Sequence, residues 1–285
     1  MSQFLNSLQQ IVQSDSVGLA RGVCCHLQWQ FRKVLGMFPC ELAISHSRLL
    51  ADKPTGVAAL VNSMGMYDFH NMSLLKTALA IRPMIFVDVG ANIGPYTLIA
   101  SESKLAHILS LEPHPITFAK LTQNVQRNAR ANVTCFNYAV SDHDGHVDLT
   151  DRPESTVNRV LGPGETGEKS VSVPCKTLDG LCAELNLRAD IIKIDVEGHE
   201  ACVLRGFQKH LEKTLLLFVE GGQRFEVRSM MRDKGLLGPL YFHQGDLALS
   251  PTPQRRAEDP VYLSRCFLEE LRGLGVKAFK GQERE

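Results

Sequence analysis

Asp195, Glu197 and His199 follow one another at alternate positions where an apolar run, Ile191-Ile192-Lys193-Ile194, gives way to Asp195-Val196-Glu197-Gly198-His199-Glu200. Carboxylates and an imidazole can take a proton from a hydroxyl held within hydrogen-bond reach. Period-two alternation along a strand sends Ile192, Ile194 and Val196 to one face and Lys193, Asp195 and Glu197 to the other. A lysine and two carboxylates on one face of a buried strand are costly unless mutually paired. Lys193 is therefore expected in an ion pair with Asp195 or Glu197. Asp195 or His199 is the expected proton acceptor, with Glu197 orienting the group that gives the proton up. Glu200 falls in a helix first turn, where exposed N–H groups favour a carboxylate whatever the function.

A second constellation is Val87-Asp88-Val89-Gly90-Ala91-Asn92-Ile93-Gly94. An apolar strand running into Gly90 and Gly94 ahead of a helix lets the backbone turn sharply and approach a ligand closely. A dinucleotide fingerprint needs a middle glycine where Asn92 stands. No lysine followed by Ser or Thr comes after Gly94, which excludes a phosphate-cradling P-loop. Glu112, at the end of the next apolar run, has the spacing of an acid that accepts hydrogen bonds from a ribose diol. Together these positions favour an adenosyl ligand without phosphates, for which S-adenosylmethionine (SAM) is the candidate.

The segments Phe86 to Gly94, Leu111-Glu112-Pro113, Ala139-Val140-Ser141-Asp142, Thr177-Leu178-Asp179 and Ile192 to Glu200 resemble, in order, the motifs of the FkbM-type methyltransferases. The resemblance implies a Rossmann-like class I methyltransferase fold: α/β, with a mostly parallel seven-stranded sheet, helices on both faces and an N-terminal flank. It also implies that Asp88, Gly90, Asn92 and Gly94 line the methionine side of SAM, that Glu112 holds the ribose, and that Ser141 and Asp142 lie near the adenine. The implied reaction is methyl transfer to a hydroxyl of a sugar, glycolipid or natural product, so the partner is a small-molecule or carbohydrate acceptor. Gly65-Met66-Tyr67-Asp68-Phe69 resembles the approach to the first strand in members acting on carbohydrate-like acceptors, where Tyr67 either faces the acceptor or packs in the core. The family's histidine after strand five has no counterpart, because Gly221-Gly222 follow Glu220.

Three rival readings have specific tests in the residues. An N-methyltransferase usually carries Asn or Asp followed by Pro-Pro-Tyr where this chain has Asp195-Val196-Glu197-Gly198. A nicotinamide oxidoreductase is disfavoured by Asn92. A non-catalytic SAM-fold module would not need the acidic strand end. Asp195, Glu197 and Glu220 would also suit Mg²⁺, a hard cation, but no metal ligand is assigned.

The elements that must position these groups follow from residue 84 onward, where short apolar runs alternate with helical periodicity. Strands are expected at Met84–Val89, His107–Leu111, Val133–Val140, Ser170–Pro174, Ile191–Val196 and Leu215–Glu220, with Leu240–Phe242 and Leu247–Leu249 flanking a hairpin turn at 243–246. Helices are expected from Gly94-Pro95, from about Pro115, at Leu178–Leu185, Gly198–Leu211 and Phe225–Lys234. Arg152 to Ser170 reads as a loop, and His143-Asp144-Gly145-His146 as a solvated turn. Before residue 80, amphipathic helices are expected around Phe4, Leu5, Leu8, Ile11 and Val12 and over Asp68–Ala80, with short strands at Arg48–Ala51 and Val57–Val61. Trp29 is expected to pack this flank. The domain reading is a flank over 1–80, a SAM-binding domain over 81–254 and a helical tail over 255–285.

Composition sets the outer bounds. The chain has 285 residues, 44% hydrophobic and 22% charged, as for an ordinary globular domain. Lys plus Arg and Asp plus Glu both number 31, which removes the electrostatic case for a nucleic-acid partner. Eight scattered cysteines without a C-x-x-C pair read as reduced thiols. With neither a leader pattern nor a membrane span in view, a cytoplasmic location is expected.

Overall fold

The computed structural model describes residues 19–152, 158–162, 164–253 and 259–278. The helix expected around Phe4 to Val12, and the end Gly281–Glu285, lie outside the described residues. The flank begins with helix α1 (Leu19–Val34), a hairpin of β1 (Cys40–Ile44) and β2 (Ser47–Ala51), and helices α2 (Gly56–Met64) and α3 (Phe69–Ala78). Trp29 is 2% exposed and meets Phe38 edge-on at 5.3 Å, the packing role expected of it. The strand expected at Val57–Val61 is instead α2. Its local caps outweigh the β-branched residues: Thr55 Oγ1 accepts the Ala58 N–H at 3.2 Å, and Gly65 closes the helix in the left-handed conformation.

The main body alternates strand and helix: β3 (Met84–Val89), α4 (Pro95–Ala100), β4 (Ala106–Leu111), α5 (Pro115–Arg127) and β5 (Val133–Phe136). The expected third strand, Val133–Val140, is broken. Asn137 turns its amide onto the carbonyls of Glu112 and Pro113, each at 2.8 Å, and the chain departs into a separate three-stranded sheet. That sheet has the order β6-β8-β7, from β6 (Ala139–Val140), β7 (Gly145–Thr150) and β8 (Ser170–Lys176).

The main body resumes with α6 (Leu178–Glu184), β9 (Ile191–Ile194), α7 (Glu200–Arg205), β10 (Leu216–Val219) and α8 (Phe225–Asp233). It ends with β11 (Leu237–His243), β12 (Ala248–Ser250), β13 (Val261–Leu263), α9 (Arg265–Gly273) and β14 (Lys277–Ala278). Helix α7 is shorter than the expected Gly198–Leu211. Gly206 lies so close to the Ser141 carbonyl that a Cβ there would come within 2.1 Å, and its own carbonyl accepts from Asp179 N at 3.0 Å. The chain is pinned there and the helix stops.

The central sheet has the order β14-β12-β11-β13-β10-β9-β3-β4-β5. Strands β10, β9, β3, β4 and β5 are mutually parallel, and β13 enters antiparallel between β10 and β11. This is the Rossmann-like arrangement; the short strands β12 and β14 extend its seven strands to nine. The region after residue 255, expected as a helical tail, therefore supplies a central strand as well as α9. Two cores cover the sheet. On one face Phe86, Ile191 and Phe218 meet the flank residues Leu74 and Leu75; on the other Val87, Ile192 and Leu217 meet α6 to α8. The chain reverses direction across the sheet between β3 and β9, and the crevice at the carboxyl ends there is where such sheets take ligands. Among the described residues no helix is long and apolar enough to cross a membrane, and all eight cysteines are free thiols.

Candidate active site at the carboxyl ends of the parallel strands

A cavity of about 260 Å³ opens at that crevice. Its floor is the turn after β3. Gly90 has φ +77° and Asn92 φ +52°, and the N–H groups of Gly90 and Ala91 both donate to the Leu111 carbonyl at 3.0 Å. Asparagine tolerates the left-handed region better than most residues, which explains how Asn92 replaces a glycine there. The turn is also braced from β4. Glu112, 7% exposed, accepts the Asn92 N–H at 2.9 Å on one oxygen and the His114 N–H at 3.0 Å on the other. Burial pushes its carboxyl up to about 7, against the pull of those two N–H groups.

Of the expected site residues, Gly90, Asn92, Glu112, Asp195, Glu197 and His199 lie on the cavity wall. Asp88, Gly94, Ser141 and Asp142 do not line it. Asp88 is fully buried beneath the turn, accepting from Thr97 Oγ1 at 2.7 Å and lying 3.8 Å from Lys193 Nζ. Gly94 caps α4 at φ +97° against Leu121. Ser141 reaches the cavity only through His199, whose Nε2 is 3.0 Å from its hydroxyl. Asp142 is exposed and pairs with His143 and Arg205. The wall near Pro113 is formed instead by Tyr138, Ala139 and Val140.

At the acidic strand end, Lys193 is buried and its Nζ lies 2.9 Å from Asp195 Oδ2 and 5.1 Å over the Tyr96 ring. Burial alone would favour loss of its proton, but Asp195, Tyr67 and Asp88 outweigh that and hold it charged. The expected alternation ends at Ile194. Glu197 takes φ +54° and turns out to the cavity mouth, where burial of its carboxyl, with Asp195 and Glu200 nearby, pushes it up to about 7. Burial holds the His199 imidazole below its ordinary range. Oxygens of Asp195, Glu197 and Glu220 all lie within 4.8 Å of one another. Three carboxylates do not by themselves specify a metal, and one is already bound to Lys193.

The cavity has further walls, not all of which sequence reasoning found. Tyr67, weighed for this role, does line it and meets Tyr96 edge-on at 5.9 Å. Tyr96, on α4, donates its hydroxyl to Asp68. Asp259 arrives from the segment before β13 and accepts the Gly221 N–H at 3.0 Å. Burial pushes it up to about 6. Nothing local in the sequence marks Asp259, because only the insertion of β13 beside β10 brings it in. Residues 143–146 are exposed, as expected, but only His143 and Asp144 lie in the turn, since Gly145 and His146 open β7.

Residues 88–235 match the model of the methyltransferase FkbM domain, about half the chain. A hexuronic acid methyltransferase, AglP of Haloferax volcanii, is 32% identical over 135 residues, covering 47% of this chain and 54% of that protein. The matched region thus spans little more than half that relative's length. The methyltransferase sdnD of Sordaria araneosa is 29% identical over 186 residues, covering 52% of this chain and 72% of the other. Among solved structures, a SAM-dependent methyltransferase of Agrobacterium tumefaciens superposes with a TM-score of 0.42 at 11% identity, over 67% of this chain and 57% of that one.

Proposed function

The chain belongs to the FkbM methyltransferase family, and from that premise we propose that it methylates a hydroxyl of a sugar-like or natural-product acceptor, with SAM as donor. The observation that carries the reading is Glu112. Both its oxygens are braced by backbone N–H groups while the carboxylate borders the cavity beside the Gly90 turn. A carboxylate has about four lone-pair sites, so two remain for the hydroxyls of a ribose. The residues thus fit the donor. When bound, SAM supplies an electrophilic methyl group carried on a sulfonium.

The chain's own groups do the rest. The Gly90–Asn92 turn lets backbone approach the methionine portion closely, Glu112 holds the ribose, and Pro113 with Tyr138 to Val140 borders the adenine. Asp195, Glu197 and His199 border the acceptor, whose orientation supplies much of the rate in an in-line displacement. The Haloferax relative is named for a sugar acid, which supports an oxygen acceptor of carbohydrate type over an amine.

Calorimetric titration with SAM tests the donor half. Glu112→Ala is expected to weaken binding about 100-fold, the loss of two charge-assisted hydrogen bonds of about 1.5 kcal/mol each. Because the free carboxyl titrates at about 7 and the ionised form accepts the ribose hydroxyls, wild-type affinity should rise with pH through that value. Unchanged affinity in the variant, or preference for NAD, defeats the reading. Labelled methyl transfer to polysaccharide and metabolite pools tests the acceptor half.

A further inference from the structure

We propose that Glu220, and not Asp195 or His199, takes the proton from the acceptor hydroxyl; the inference rests on the methyl-transfer reading above. Each rival base is already engaged. Asp195 is bonded to the Lys193 ammonium at 2.9 Å, so its Oδ2 is already taken. His199 is held by Ser141 at 3.0 Å in a half-buried position that disfavours the imidazolium. Glu197 stands at the cavity mouth and is more exposed than Glu220.

Glu220 is placed differently. Its N–H donates to the Ile194 carbonyl at 2.9 Å, which fixes the residue where β10 ends beside β9. Its half-buried side chain borders both the main cavity and an adjoining chamber of about 30 Å³ shared with Tyr67, Asp68, Asp195 and Asp259. Facing it are Lys193, Asp195 and Glu197 from the end of β9, Glu200 from α7, Asp259 from the approach to β13, and Tyr67 and Asp68 from the flank. The two nearby cations are spent elsewhere, Lys193 on Asp195 and Arg224 on Glu200 at 3.0 Å. Glu220 shares a side-chain hydrogen bond with Asp195 and stands among like charges, a setting that strengthens a carboxylate as a base. Burial first, then Asp195, Glu197 and Glu200, push it up to about 8, close to where a general base works best at physiological pH. As the acceptor oxygen bonds to the methyl carbon, its proton passes to the Glu220 carboxylate and the C–S bonding pair stays on sulfur.

The test uses the full chain, with methyl hexopyranosides as acceptor probes and ¹³C-labelled glutamate for NMR. Glu220→Gln should melt and bind SAM like wild type while kcat falls about 100-fold, within the range for removal of a general base. Wild-type kcat should rise with pH and level off above about 8. Asp195→Asn and Glu197→Gln, each by removing a like charge, should move that limb to lower pH without abolishing it. Independently of turnover, one glutamate carboxyl signal should titrate near 8 and be missing in Glu220→Gln. The proposal is overturned if Glu220→Gln turns over normally, if the pH limb survives in it but vanishes in Glu197→Gln, or if the Glu220 signal titrates in the ordinary carboxylate range. No SAM binding to wild type, or no transfer to any hexoside, would instead remove the reading beneath it, even with the titration as described.

Discussion

Gly90→Ala is expected to abolish measurable SAM binding and to destabilise the fold by about 4 kcal/mol or more, at the extreme of single substitutions. Two separate costs act at this position. The first is conformational: at φ +77° a Cβ is strained, by about 1–2 kcal/mol. The second is steric, since the added carbon would lie 1.9 Å from the backbone oxygen of Asp195 and 2.9 Å from its carbonyl carbon. That neighbour cannot swing aside. Asp195 N donates to the Val89 carbonyl at 3.1 Å, so the clash opposes the pairing that joins β3 to β9. Gly65→Ala isolates the first cost, because Gly65 has φ +75° and nothing within 4 Å of its would-be Cβ. Denaturant unfolding should show that variant losing only about 1–2 kcal/mol. A Gly90→Ala protein as stable as Gly65→Ala would mean that the close approach is not what requires glycine.

That contrast shows what kind of information the sequence carried. The strands and turns of the donor half were legible because their signals are local: an apolar run, then Gly90 and Gly94, then an acid one element later. Lys193 was legible because alternation placed a cation beside carboxylates, although only the structure selects Asp195 over Glu197. The alternation misled at Glu197, whose positive φ leaves the strand path. At Val133–Val140 the apolar run concealed a change of sheet, and only Asn137, a residue that readily bonds nearby carbonyls, marked the break. In β7 the signal was present and passed over: Val147 and Leu149 alternate with exposed His146 and Asp148. Ser141 and Asp142 came from resemblance alone, and here they stand behind His199 and on the surface. Asp259 and Tyr96 had no local signal, since they join the cavity through strand insertion and helix packing. The basic character of Glu220 is a property of the assembled charges and not of its own segment.

Lys193→Met carries the same logic into energetics. Lys193 is 6% exposed and Asp88 fully buried, and the Asp88 oxygen facing the ammonium has no hydrogen-bond partner. Removing one member of such a pair leaves the other charge uncompensated, which typically costs 3–5 kcal/mol. Burial already raises the Asp88 carboxyl above its usual range, with Lys193 the chief influence holding it down. Without the lysine it would rise further, so the folded variant would retain a proton that the unfolded chain releases near pH ~3.9. When the native state binds more protons than the unfolded state, stability falls as pH rises. The deficit of Lys193→Met should therefore be small in acid and grow toward neutrality. Asp88→Asn combined with Lys193→Met removes the orphaned charge while keeping an acceptor for Thr97, and it should recover much of the loss near pH 7. Urea unfolding of both single variants and the double variant across this pH range supplies the cycle. Strict additivity, or a deficit independent of pH, would show that Lys193 acts through packing against Tyr96 and not through the charges it joins.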